Sequence, residues 1–324
     1  MFSFTSPMFR NVARYSASRQ LFLESRPSVN SVGRHFASLS MAALKDLRAK
    51  SGAPMVECKK ALESSENDID AAMDWLRKHG AAKTSSKVAG RDAQEGLVGL
   101  LTSGKSAAIV HVASETDFAG RSKAFSDLVE LVTAATLESR QASEIASEDL
   151  MHMSANGKKV EEAMEEAILA IRENLKIASA LSCVADDGQW VGYVHGRVTE
   201  IAGSAAAIVH VSGDVSEQVL QDVGKKLAMH VVAARPLYMD PDSVPEDVLA
   251  KETEILREQL VETSKNKPPE ILEKIISGKL RKYYESVCLT EQAHMILEGN
   301  PKVKDCLKEQ GVNLTHFEFK ALHH

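Results

Sequence analysis

Ala107-Ala108-Ile109-Val110-His111-Val112 recurs 99 residues later, residue for residue, as Ala206-Ala207-Ile208-Val209-His210-Val211. The same offset carries Leu128 onto Leu227 and Val132 onto Val231, so the segment that follows each hexapeptide repeats as well. Each copy reads as a hairpin followed by an amphipathic helix. Residues 96–101 and 107–112 make the first hairpin, and Phe125, Leu128, Val129 and Val132 line one face of its helix. Residues 190–198 and 206–211 make the second, with Val219, Leu220, Val223, Leu227 and Val231 behind it. Strand runs alternating with one-sided helices predict an α+β fold with a duplicated core, its subdomains spanning residues 95–185 and 186–324.

Working outward, residues 41–82 read as three short helices. The first carries Leu44 and Leu47 and ends at Gly52. The second opens at Pro54, a residue suited to a first helical turn. The third starts after an Asn67 cap, sets Ile69, Ala72, Met73 and Leu76 at helical spacing, and stops at Gly80. Residues 83–94 are small, polar and basic, as a linker would be. Two inserts complete the pattern. Val160, Ala163, Met164, Ala167, Ile168 and Ile171 form a helical stripe, with Glu161, Glu162, Glu165 and Glu166 on its solvent side. Farther on, two charged helices at about residues 245–285 flank Ser264-Lys265-Asn266-Lys267-Pro268-Pro269 and predict a protruding antiparallel helical hairpin. So sparsely apolar a hairpin adds little to a core, which points to contact with a partner. Residues 312–319 alternate like a half-buried final strand.

The charge of −6 averages two unlike segments. Residues 1–40 hold five Arg, one Glu, no Lys and nine Ser, a charge of +4; the remaining residues hold 34 Lys+Arg against 44 Asp+Glu, a charge of −10. An Arg-rich, Ser-rich, nearly acid-free start is the composition of an organellar transit peptide, and the matrix of mitochondria is the expected destination, with the plastid as the alternative. The acidic remainder argues against a phosphate-backbone partner, so no direct nucleic-acid binding is expected. No apolar stretch is long enough to span a membrane. Four scattered cysteines lack paired spacing and read as reduced thiols.

Gly99-Leu100-Leu101-Thr102-Ser103-Gly104-Lys105-Ser106 matches a phosphate-binding loop at every fixed position. That chemistry needs the Lys and Ser to open a helix whose amides face the anion. Here Ser106 runs into a strand, so residues 102–105 read as a hairpin turn. A nucleotide-binding enzyme using this loop stands as the rival class, and a passive binding chaperone or interaction scaffold as a third. No histidine pairs at metal-ligand spacing, and His111 and His210 read as sheet residues. Cys58 reads as a packed helix thiol. Neither covalent chemistry, a metal nor a cofactor is expected.

Ser114-Glu115-Thr116-Asp117-Phe118 follows a strand and precedes a helix, so Phe118 falls in a connection. An acid beside an aromatic there suits a partner's pocket, and packing under the chain's own helix is the equal alternative.

Residues 47–62, Leu-Arg-Ala-Lys-Ser-Gly-Ala-Pro-Met-Val-Glu-Cys-Lys-Lys-Ala-Leu, closely resemble the N-terminal signature of the elongation factor Ts family. Thr116-Asp117-Phe118 sits where that family carries its T-D-F-V motif. Tyr193-Val194-His195-Gly196 and Met229-His230-Val231-Val232-Ala233-Ala234 are also similar to it, and the resemblance runs over about residues 41–322. It implies a guanine nucleotide exchange factor without covalent chemistry of its own, acting on elongation factor Tu and its bound GDP and magnesium. It also implies that the three-helix module is similar to ubiquitin-associated domains and docks on the partner through Arg48, Met55 and Val56. Asp117 and Phe118, preceded by Thr116, would be a wedge near the magnesium and phosphate site, and His195 and His230 would be core contacts. The chain departs from the family's pattern after Phe118. Ala119-Gly120-Arg121 replaces the usual Val and small residue, which should loosen the wedge loop. Ser51 replaces a Thr, and His111 stands where Glu is common.

Overall fold

A computed structural model describes residues 40–76, 79, 90–263 and 269–322. The predicted leader, most of the linker, the Gly80 stop and the 264–268 breaker lie outside the described residues.

Three helices open the described chain: α1 (Met41–Ser51), α2 (Met55–Ser64) and α3 (Ile69–Trp75). Ser40 caps α1 by accepting from the Ala43 amide. Gly52 ends it in the left-handed region at φ 65°, returning its own N–H to the Arg48 carbonyl. Pro54 stands at the N-cap of α2, one place earlier than a first-turn proline. The cap of α3 is Asp68, not the predicted Asn67: the Asp68 carboxylate accepts from the Asp70 and Ala71 amides. Asn67 takes the left-handed turn before it, at φ 67°, a conformation asparagine tolerates better than most residues. Leu47, Leu62, Cys58 and Leu76 close a small core between the three helices.

Strands β1 (Glu95–Ser103) and β2 (Ser106–Ser114) form the first hairpin, in register from Glu95 opposite Ser114 to Ser103 opposite Ser106. The turn is Gly104-Lys105, with Gly104 at φ 56°, as a two-residue hairpin loop with glycine in first place requires. Next come the short helical turn α4 (Asp117–Gly120), α5 (Lys123–Ser139), α6 (Ser147–His152), the two-residue strands β3 (Ser154–Ala155) and β4 (Lys158–Lys159), α7 (Val160–Ile171) and β5 (Lys176–Val184). The second half carries β6 (Gln189–His195), β7 (Ala202–Gly203), β8 (Ala205–Ser212) and α8 (Glu217–Ala234). After it run α9 (Glu246–Thr263), α10 (Pro269–Val287), α11 (Val303–Gln310) and β9 (Asn313–Ala321).

The duplication is visible in detail. β2 lies between β1 and β5, and β8 lies between β6 and β9, all antiparallel. A register shift falls between His111 and Val112 in one copy and between His210 and Val211 in the other, the same place in the repeat. Val110 and Val112 pack on Phe125, Leu128 and Val132 of α5; Val209 and Val211 pack on Leu227 and Val231 of α8. The alternate residues Ala107 and Ile109 meet Ala206 and Ile208 across a shared core with Trp190, so the two sheets lie face to face. Burial on both faces is why each hexapeptide is a continuous apolar run and not an alternating one. β6 stops at His195, short of the predicted Val198, because the chain turns off to place β7 beside β1.

α9 and α10 pack on each other as an antiparallel pair, with Arg257 and Glu273 facing across it at 3.8 Å. β9 is the predicted closing strand. No helix among the described residues is long and apolar enough to cross a membrane.

Candidate partner-binding site

The phosphate-loop match is spent on the fold. Gly99 to Ser103 lie inside β1, Ser106 begins β2, and the Gly104 and Lys105 carbonyls accept from the Trp190 and Ala185 amides. The Lys105 amine donates to the Asp186 carbonyl. Ser106 opens a strand and not a helix, so the cradle such a site needs is not formed by these residues.

Thr116, Asp117 and Phe118 form one feature at the end of β2. Thr116 is the extended residue before α4, and Asp117 and Phe118 are its first two helical residues. Phe118 is 74% exposed, while Ala119 and Gly120 immediately after it are buried against β1. The alternative of a ring tucked under its own helix is thereby removed. Both ends of the turn are fixed. Upstream, the Thr116 amide and hydroxyl donate to the two carboxylate oxygens of Glu173 at 2.9 and 2.7 Å. The buried Ser114 hydroxyl donates to the Thr116 carbonyl at 3.0 Å. Downstream, the Ser122 hydroxyl donates to the Ala119 carbonyl at 2.8 Å and also caps α5. Arg121 reaches back to Asp117 at 3.3 Å, and its guanidinium lies 6.0 Å from the Phe118 ring centre. Gly120 has no left-handed backbone, and a Cβ there would meet ordinary contacts at 3.5 Å or more. The loosening expected from Ala119-Gly120 therefore meets a turn anchored on both sides.

Arg48, in the last turn of α1, and Met55 and Val56, which open α2, are all exposed, with Val56 at 61%. His195 is exposed at the end of β6, within 3.3 Å of the Tyr193 hydroxyl. It lines a shallow cavity of about 590 Å³ with Met229, Val232 and Ile296.

His230, which the resemblance implied as a core contact, has its side chain fully buried in α8. Its Nδ1 accepts from the Met295 amide at 3.1 Å, which puts the ring proton on Nε2, 3.0 Å from the Gln292 side-chain oxygen. Burial pushes the imidazole below the usual histidine range, partly offset by the Gln292 bond. His230 therefore shapes the 292–296 loop from beneath, and it is the neighbouring Met295 and Ile296 that reach the surface. His210 is the satisfied sheet residue expected, bonded to Thr315 and to the Asp187 carbonyl.

Three groups emerge: the Thr116–Phe118 turn, the face of the N-terminal module, and the cavity by His195. Sequence reasoning missed the supports of the first, Glu173, Asn174 and Arg91. Asn174 donates its amide to Glu115 at 2.6 Å and its side chain to the Arg91 carbonyl at 2.7 Å. One signal was present: Glu173 follows the Arg172 cap of α7, and an acid is disfavoured at a helix C-terminus unless it has another use. Among the described residues no cluster of three potential metal ligands occurs.

Residues 115–322 match the family model described as "Elongation factor TS", and residues 30–84 match that described as "Elongation factor Ts, mitochondrial, N-terminal". The chain is 36% identical over 278 residues to elongation factor Ts of Rhodospirillum rubrum, covering 86% of this chain and 88% of that one. It is 35% identical over 272 residues to that of Sinorhizobium fredii, covering 84% and 87%. It is 38% identical over 264 residues to that of Allorhizobium ampelinum, covering 80% and 82%. With the signature on its first two helices and the Thr-Asp-Phe turn after β2, the chain belongs to the elongation factor Ts family.

Proposed function

We propose that Asp117 and Phe118 are the wedge by which this chain opens the nucleotide and magnesium site of elongation factor Tu during translation in mitochondria. As a member of its family the protein is a translation elongation factor, a nucleotide exchange factor for elongation factor Tu. The observation that carries the wedge reading is the exposure of Phe118, 74%, on a turn held by hydrogen bonds at Thr116 and Ala119 and by the buried Ala119 and Gly120. A large apolar ring held out from a rigid frame loses little freedom when it enters a pocket, and Asp117 beside it brings a carboxylate toward a cation or amide.

Differential binding supplies the mechanism. A factor that favours the nucleotide-free partner must weaken GDP by the factor by which GDP weakens it. A thousandfold faster release needs about 4 kcal/mol of barrier lowering, at roughly 1.4 kcal/mol per tenfold. Burying one Phe ring contributes roughly 1.5–3 kcal/mol, so disturbance of magnesium ligation supplies the rest. The module of residues 41–82, similar to ubiquitin-associated domains, docks on the GTPase domain through Arg48, Met55 and Val56. The subdomains 95–185 and 186–324, with the α9–α10 hairpin and His195, hold the partner's other domains. No covalent step falls to this chain.

The Arg-rich, acid-poor residues 1–40 and the mitochondrial type of the matching N-terminal model support import into mitochondria. Fluorescent GDP leaving mitochondrial elongation factor Tu, followed by stopped flow with and without the 324-residue chain, tests the function. Acceleration that saturates with the chain's concentration is expected. Binding without acceleration would leave a passive chaperone.

A further inference from the structure

The exposed pair makes few bonds of its own. Among the described residues the Asp117 carboxylate meets Arg121, and that pair is exposed on both sides, where ion pairs hold little. What orients the turn is the residue before it. All three polar groups of Thr116 are engaged: the amide and hydroxyl on Glu173, the carbonyl on Ser114. Glu173 comes from the connection between α7 and β5, 57 residues along the chain, and each of its oxygens takes one donor. Asn174 beside it donates to Glu115, and Arg91 approaches the same Glu115 oxygen at 3.5 Å. The two residues before Asp117, Glu115 and Thr116, are thus clamped by the two residues that follow the Arg172 cap of α7. Charge-assisted bonds to one carboxylate fix both distance and direction. A neutral or shorter side chain at 173 could not accept both donors with the same charge.

We infer that Glu173 is a positioning residue for nucleotide exchange, holding Thr116 so that Asp117 and Phe118 project at the angle the wedge requires. This rests on the wedge reading above. The same helix α7 supports the N-terminal module, since Leu169 belongs to the module's core and Ala170 touches Gly52. Glu173 therefore also sets the wedge relative to the docking face, through a helix of which it lies just past the end.

The test is a double-mutant cycle in the full chain, measuring the maximal rate of fluorescent GDP release and the half-saturating factor concentration separately. Glu173→Ala should lower the maximal rate about ten- to a hundredfold, the order expected when a working group is displaced by about an ångström. The half-saturating concentration should change by less than about twofold, because the docking surfaces are intact. In a Phe118→Ala background the same substitution should cost nothing further, since its effect acts through the ring. Thr116→Val, which removes one of the two donors, should lose part of the rate, and Thr116→Ser should restore it. These two variants keep the test open if Glu173→Ala lowers the yield of folded protein. Equal fractional losses in both Phe118 backgrounds, or a loss confined to half-saturation, would overturn the inference while leaving the wedge in place. Wild-type release by Phe118→Ala alone would remove the wedge reading and this inference with it.

Discussion

Gly52 abuts Ala170: a Cβ built on the glycine falls 3.3 Å from the alanine's own Cβ, tighter than an ordinary contact. The first of these residues ends α1 of the N-terminal module and the second lies in the last turn of α7. A left-handed glycine thus does two things, closing its helix and letting the module sit directly on the core.

Gly52→Ala should cost about 1 kcal/mol or more, because the φ of 65° is strained for alanine and the added methyl crowds Ala170. Hydrogen exchange should locate the loss, with faster exchange in α1 and α2 and unchanged protection in β2 and β8. Loss of protection throughout the core would show that the module and the core unfold together.

Lys105 tests the rival enzyme class. Its amine is committed to the Asp186 carbonyl in a hairpin turn, so Lys105→Ala should leave GDP release from the partner within about twofold of wild type. Equilibrium dialysis of the chain alone against GDP or ATP should detect no binding. Nucleotide bound by the wild type and lost in the variant would restore the phosphate-loop reading.

His294 sets a pH dependence. Burial, with the nearby His230 and Lys226, pushes its imidazole down to about 4, and its Nδ1 accepts from the Ile296 amide. A base whose folded pKa lies below its unfolded value near 6.5 binds fewer protons when folded. Stability should therefore fall as pH drops from about 6.5 toward 4, and be indifferent to this group above that range. His230, lowered in the same direction, adds to the slope. The melting temperature followed from pH 7 to 4.5 should decline less steeply for His294→Gln than for wild type, and parallel lines would refute the assignment.

The duplicated core was legible because a hexapeptide buried on both faces has few other ways to be written, and its two copies kept their identity. The third strand of each sheet was less so. β9 alternates visibly at Phe317 and Phe319, whereas β5 is built of small residues, Ala178, Ser179, Ala180 and Ser182, whose pattern is faint. The Asp117–Phe118 turn was legible as an odd pairing in a connection, but its exposure followed only from the burial of Ala119 and Gly120. Glu173 and Gln292 were illegible for another reason. Each acts on a residue 57 or 62 positions away, and no local period records such a contact. The burial of His230 was illegible because the resemblance carries a residue's importance without saying whether it faces the surface or the core.

The most direct measurement is the release of fluorescent GDP from mitochondrial elongation factor Tu by the wild-type chain and by Phe118→Ala at saturating concentration. Loss of roughly 1.5–3 kcal/mol of apolar burial predicts release slower by about ten- to a hundredfold. The melting temperature should be unchanged, because a ring 74% exposed contributes little to the fold. Release at the wild-type rate by this variant would contradict the wedge.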